Sequence, residues 1–186
     1  MAKITWKPGT MLYPVPAVMV SCGNVNKPNI ITIAWTGIIN SNPPLIYISV
    51  RKERHSHAII SEQKKYVINL VTKKLCKAAD YCGVKSGKDI DKFKAMNLTN
   101  EPSPVLGIPQ IKESPLNMEC TVKDIVELGS HDMFISEIEA INVDETLINQ
   151  KGKLRLDTAE LVAYSHGIYY ELGKKLGTFG FSVKKS

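Results

Sequence analysis

Residues 29–57 read NIITIAWTGIINSNPPLIYISVRKERHSH. Two β-branched, apolar runs flank a hard stop at Asn42-Pro43-Pro44, because proline fixes φ and lacks an amide donor. The pattern predicts a long strand over residues 29–40 and a second over residues 45–50. Neither is a plain core strand. Thr32, Trp35 and Thr36 interrupt the first, and the second runs into Arg51, Lys52, Arg54, His55 and His57. Hydroxyls and an indole on one strand, beside a cationic tip on its neighbour, describe a place for something flat, polar-edged and anionic.

Upstream, residues 17–22 (AVMVSC) form a strand stopped by Gly23-Asn24. Downstream, Ser56 is expected to N-cap a helix over residues 57–64, and residues 66–71 (YVINLV) to form a short buried strand. Helices are expected over residues 75–83 and 89–97, with Ile90, Phe93 and Met96 at helical spacing as core positions. Four prolines make residues 101–115 an irregular crossing. Two long strands follow, over residues 116–126 and 133–143, with a turn at Gly129-Ser130-His131-Asp132. In the first of them Met118, Cys120 and Val122 alternate with Asn117, Glu119 and Thr121, as in a half-buried strand. Residues 161–170 read as a hairpin. Strands, then helices, then strands again is no βαβ alternation. It predicts a mainly β fold: an antiparallel, barrel-like sheet with helices added at one side.

With 186 residues the chain is expected to be one domain, residues 1–186. Its net charge of +6 is spread over scattered lysines, which read as solvated surface. No aromatic–basic cluster accompanies them, which argues against a nucleic-acid-binding barrel. Cys22 and Cys120 lie in apolar runs as buried thiols, Cys76 and Cys82 fall in a helical segment, and no C-x-x-C occurs. The first residues lack the apolar core of a signal peptide and no run reaches membrane-spanning length, so the expected address is the cytoplasm.

The chemistry-bearing motifs are few. His55, His57, His131 and His166 lack metal-ligand spacing, so no metal is expected. There is no G-x-S-x-G elbow and no G-x-G-x-x-G turn, so neither a hydrolytic nucleophile nor a Rossmann site is expected. What remains is Arg51 and Arg54 at a strand end just before a helix. Guanidiniums, a hydroxyl and free helix amides make a phosphate pocket. By spacing alone a solvated charged loop is an equal reading.

The motifs in order settle more. Asn29 to Trp35 has the form N-x-x-T-x-A-W. Tyr13-Pro14-Val15-Pro16 precedes it, and Ser41-Asn42-Pro43-Pro44-Leu45 and Ile48-Ser49-Val50-Arg51 follow. Further on stand Cys82-Gly83-Val84-Lys85-Ser86-Gly87 with Asp91-Lys92-Phe93, then Ile108-Pro109, Glu113-Ser114-Pro115 and Glu119-Cys120. His131-Asp132-Met133-Phe134, Tyr169-Tyr170-Glu171-Leu172-Gly173 and Gly177-Thr178-Phe179-Gly180 close the series. This ordered set, covering nearly the whole chain, resembles the flavoredoxin group of flavin reductase-like proteins. Lys52 departs from a frequent proline of that group, and His55 and His57 from frequent tyrosines.

The resemblance implies an FMN-binding antiparallel split β-barrel, a homodimer with flavin near the subunit interface. It assigns Asn29, Thr32, Ala34, Trp35 and Thr36 to the cofactor-binding strand, the last four lining the isoalloxazine and ribityl chain. Ser49, Val50 and Arg51 would face the flavin from the neighbouring strand. Arg54 and Ser56 would meet the phosphate, with Ser86 and Lys92 closing over it. The implied activity carries electrons from NADH or NADPH through FMN to a small-molecule or protein acceptor, without a catalytic side chain. The alternative is an FMN carrier fed by a protein partner.

Overall fold

The computed structural model describes residues 1–183. Its strands in chain order are β1 (Val15–Pro16), β2 (Val18–Asn24), β3 (Lys27–Ile33), β4 (Thr36–Ser41), β5 (Pro44–Arg51), β6 (Lys65–Leu70), β7 (Asn100–Pro102), β8 (Pro109–Ile111), β9 (Leu116–Glu127), β10 (His131–Val143), β11 (Val162–Ser165) and β12 (Ile168–Glu171). The helices are α1 (His55–Gln63), α2 (Cys76–Val84) and α3 (Lys92–Ala95).

Seven strands form one antiparallel sheet in the order β3-β2-β6-β9-β10-β5-β4. The two edge strands, β3 and β4, are consecutive in the chain and joined only by Ala34 and Trp35. So short a link can connect opposite edges only if the sheet curls until they meet, which makes it a barrel. At the bend the Ser49 amide donates to the Trp35 carbonyl at 2.9 Å, extending the β4–β5 pairing by one position. The single strand expected over residues 29–40 is therefore two strands with a bend. Its largely β-branched composition does not reveal where the chain must change edges.

The barrel interior takes alternate residues of each strand: Val18, Val20 and Cys22, Ile31 and Ile33, Ile46, Ile48 and Val50, with Tyr66, Ile68, Cys120, Val122 and Phe134. Ile60 of α1 plugs it. The opposite faces of β2 and β3 are covered too. Met19 and Ile30 pack under Ala78, Ala79 and Cys82 of α2, Phe93 of α3, and Ile111. Burying such side chains contributes roughly 1.5–3 kcal/mol each. A three-stranded sheet, β1-β11-β12, and the β7–β8 pair complete the fold.

Several local expectations change. The first half of β9 is buried on both faces: Asn117 and Glu119 are buried along with Cys120. Each is satisfied by hydrogen bonds, Asn117 Nδ2 to Asn69 Oδ1 at 2.7 Å and Glu119 from the Leu106 amide at 2.6 Å and Asn142 Nδ2 at 2.9 Å. Ser56 does not cap α1. The cap position is Arg54, without a side-chain bond, and Ser56 lies buried in the first turn. The helix expected over residues 89–97 contracts to α3, started by the Asp91 side chain accepting from the Lys94 amide at 3.1 Å. His131 and Asp132 open β10 instead of lying in the turn. Lys92, unlike the solvated lysines, is buried.

Candidate functional site

The bend at Ala34 and Trp35 leaves a cleft between the barrel seam, α2 and the three-stranded sheet. Its larger cavity, about 460 Å³, is lined by Thr32 of β3, by Ala34 and Trp35 of the link, and by Ser49, Val50 and Arg51 of β5. A straight strand would point Ala34 and Trp35 to opposite sides. The bend brings both to the cavity and turns Thr36 away. Thr36 lines neither cavity; its hydroxyl donates to the Tyr47 carbonyl at 2.6 Å. Thr32 also donates inward, to the Ala79 carbonyl, tying β3 to α2.

A smaller cavity, about 220 Å³, adjoins the first and shares Ile31 and Arg54 with it. Arg54, Ser56, Lys85, Ser86, Gly87 and Lys92 line it, beside one carboxylate among the described residues, Glu53, so that its three cations outnumber its anion. Lys92 Nζ donates to the Ile30 carbonyl at 2.6 Å and to the Cys82 carbonyl at 2.8 Å. An ammonium has three donors, so one remains for a ligand. Burial lowers the Lys92 pKa, and the Arg54 charge acts in the same direction. The nearby thiols are held protonated: burial pushes Cys82 up to about 11 and Cys22 up to about 12.

Asn29 lines neither cavity but braces the second. Its Nδ2 donates to Ser56 Oγ at 2.7 Å, while its buried Oδ1 has no hydrogen-bond partner and lies against Gly87. A side chain at Gly87 would collide with that oxygen.

The structure thus brings together Thr32, Ala34, Trp35, Ser49, Val50, Arg51 and Arg54 in one cavity, and Arg54, Ser56, Ser86 and Lys92 in the other. It adds residues the sequence reading missed. His131 sets its ring 4.6 Å from that of Trp35, tilted by 36°; burial and then the Arg51 charge lower its pKa. Tyr13, Tyr164, Tyr169 and Asp80 line the larger cavity from remote positions. The Y-P-x-P and Tyr169-Tyr170 motifs were the only signal for two of them. His57 is drawn inward: it bonds Asp132 at 2.8 Å and meets the Phe134 ring edge-on. Among the described residues no group of His, Cys, Asp and Glu could hold a metal ion. Among them, too, no helix is long and apolar enough to cross a membrane.

A profile of the flavin reductase like domain matches residues 10–171. The chain belongs to the flavin reductase-like family. Flavoredoxin of Desulfovibrio vulgaris (Miyazaki F) superposes with a TM-score of 0.90 at 30% identity, over 98% of this chain and 100% of that one. Flavoredoxin from Methanosarcina acetivorans gives 0.88 at 25% identity, over 99% and 100%. An uncharacterised protein of Archaeoglobus fulgidus is 33% identical over 127 residues, 68% of this chain and 71% of its own length. The curled seven-stranded sheet is accordingly the split barrel of flavin reductase-like proteins.

Proposed function

We propose that this flavin reductase-like protein binds FMN and passes electrons from NADH or NADPH through it to an acceptor. The observation that carries the reading is the pair of adjoining cavities joined at Arg54: one broad and ring-lined, the other small and cationic. A flat ring on a chain ending in phosphate has that shape and charge. The residues fit the group. Arg54, Lys92, Ser56 and Ser86 supply charged and hydroxyl donors to a phosphate. Trp35 and Ala34 flank the ring, with Ser49, Val50 and Arg51 along its polar edge. Asn29 and Thr36 then act as supports and not as contacts.

Bound FMN supplies hydride acceptance and electron delivery, so no side-chain nucleophile is needed. The protein's own contribution is orientation and charge: cations at one end of the cleft and the Trp35 indole at the barrel seam. The similarity to flavoredoxins favours a second reading, a carrier reduced by a protein partner. Steady-state oxidation of NADH and NADPH with excess FMN separates the two; no turnover with either nucleotide leaves the carrier. The cofactor itself is tested by the visible spectrum of the purified protein and mass identification of any released chromophore. A colourless protein that takes up no FMN on titration ends both readings.

A homodimer is part of the proposal. Both chain ends hold large apolar side chains out in solvent, among them Trp6, Leu12, Leu172, Leu176 and Phe179. So much exposed apolar surface calls for a covering partner, and a second copy is the proposed one. Light scattering should give twice the chain mass. All four cysteines are free, which supports the proposed cytoplasmic address.

A further inference from the structure

The start of α1 brings Arg54 and Ser56 to the smaller cavity, yet nothing within that turn fixes it in place. Arg54 stands at the cap position without a side-chain bond, and the first turn holds no acidic residue to meet the free amides. Its position is therefore set by neighbours, and two tertiary bonds reach it. Asn29 of β3 holds Ser56. The second bond comes from β10, where Asp132 Oδ2 lies 2.8 Å from His57 Nε2, with the two side chains 7% and 16% exposed. Burial opposes ionisation of Asp132, but the His57 hydrogen bond and the Lys52 ammonium hold its carboxyl below the usual range. A carboxylate only accepts, so His57 Nε2 carries the proton and donates it. Lys52 Nζ stands 3.3 Å from the other carboxylate oxygen.

Asp132 is a fixed point. It pairs with Val50 of β5 on one side and with Glu127 of β9 on the other. Val50, across the ladder, and His131, next in the chain, both line the larger cavity. The bond thus has one end in the wall of the ring-sized space and the other in the turn that presents Arg54 and Ser56. A ligand that gains from both ends at once needs their separation held beforehand, because ordering the turn on binding would cost part of the gain.

We propose that His57 and Asp132, which line neither cavity, are positioning residues: their hydrogen bond sets the phosphate-binding turn of α1 at the distance from the ring wall that lets one FMN molecule fill both cavities. The inference rests on the FMN reading above and adds which residues set the spacing. Breaking the bond frees the turn and leaves the strands of the ring wall in their ladders, so the loss falls on the phosphate end alone.

The test titrates FMN and riboflavin against the full chain, followed by flavin fluorescence, and reads the ratio of the two affinities. The native protein should bind FMN at least about tenfold more tightly than riboflavin. His57→Phe keeps a ring against Phe134 and removes the donor; it should cut that advantage about fivefold and leave riboflavin affinity unchanged. His57→Gln, whose amide nitrogen can take the place of Nε2, should restore the native ratio. Asp132→Asn keeps an acceptor but loses the charge, and should cut the ratio about twofold to threefold; it decides the matter if His57→Phe does not fold. A merely structural role would lower the melting temperature and leave the ratio alone. An unchanged ratio in His57→Phe or, where that variant does not fold, in Asp132→Asn overturns the proposal. So does a His57→Gln variant as impaired as His57→Phe. A native chain that binds FMN no better than riboflavin, or binds neither, removes the phosphate reading and this proposal with it, an outcome distinct from a native preference that the variants fail to move.

Discussion

The side-chain amide of Asn29, on β3, donates to the hydroxyl of Ser56, in the first turn of α1, at 2.7 Å, and both residues are buried. One hydrogen bond thus ties the barrel strand to the helix that carries the cationic end of the cleft. Asn29→Ala removes it and leaves the Ser56 hydroxyl enclosed without its donor. The expected cost is about 1–3 kcal/mol of stability in chemical denaturation. FMN affinity should fall as well, although Asn29 lines neither cavity.

Among the described residues, Arg54 is the one cationic residue shared by both cavities. Arg54→Ala should weaken FMN binding by about 1.5–3 kcal/mol, the worth of a charge-assisted phosphate contact. Riboflavin, which lacks the phosphate, should bind the variant and the native protein alike. Unchanged FMN affinity in the variant would remove the phosphate assignment.

Gly87 is held to glycine by contact. A Cβ there would run into Asn29 Oδ1, so Gly87→Ala must displace the loop that lines the smaller cavity. A loss of about 1–3 kcal/mol is expected from overpacking. Trimming the obstacle should recover part of it: in a double-mutant cycle, Asn29→Ala and Gly87→Ala together should cost less than the sum of the two. Strict additivity would show that the two residues do not press on each other.

Acid should loosen the crossing that Glu119 pins. Burial would raise this carboxyl, but the hydrogen bonds from Asn142, Leu106, Ser103 and Val105 outweigh it and hold the pKa below the usual 4.5. A carboxyl whose folded pKa is depressed adds stability above its unfolded value and loses it as pH falls through the folded one. Asp132 acts in the same direction. Burial opposes its ionisation, and the His57 hydrogen bond and the Lys52 ammonium more than offset that. Stability should therefore drop below pH 4.5. Glu119→Gln should cost about 1.5–3 kcal/mol at neutral pH and show a shallower acid loss. Parallel curves for variant and native protein would place the acid sensitivity elsewhere.

Much of this molecule could be read from particular residues in line. Alternating Val18, Val20 and Cys22, the Pro43-Pro44 stop and the absence of βαβ spacing are local facts, and each side-chain period follows from the backbone geometry of a strand. The ordered motifs from Tyr13 to Gly180 carried the family, and they gathered Thr32, Ala34, Trp35, Ser49, Arg51 and Arg54 into one region. Three-dimensional closure decided the rest. Whether Thr36 or Trp35 faces the cleft depends on where the chain crosses the barrel seam, a constraint set by the strand at the far edge. Glu119 and Asn117 are enclosed because the crossing packs on the outer face of β9, which its own alternation cannot reveal. Asp80, Tyr13, Tyr164 and Tyr169 meet only when a helix and a small separate sheet close around one space. Periodicity reports which way a side chain points from its own element; what it meets there is settled by elements distant in the chain.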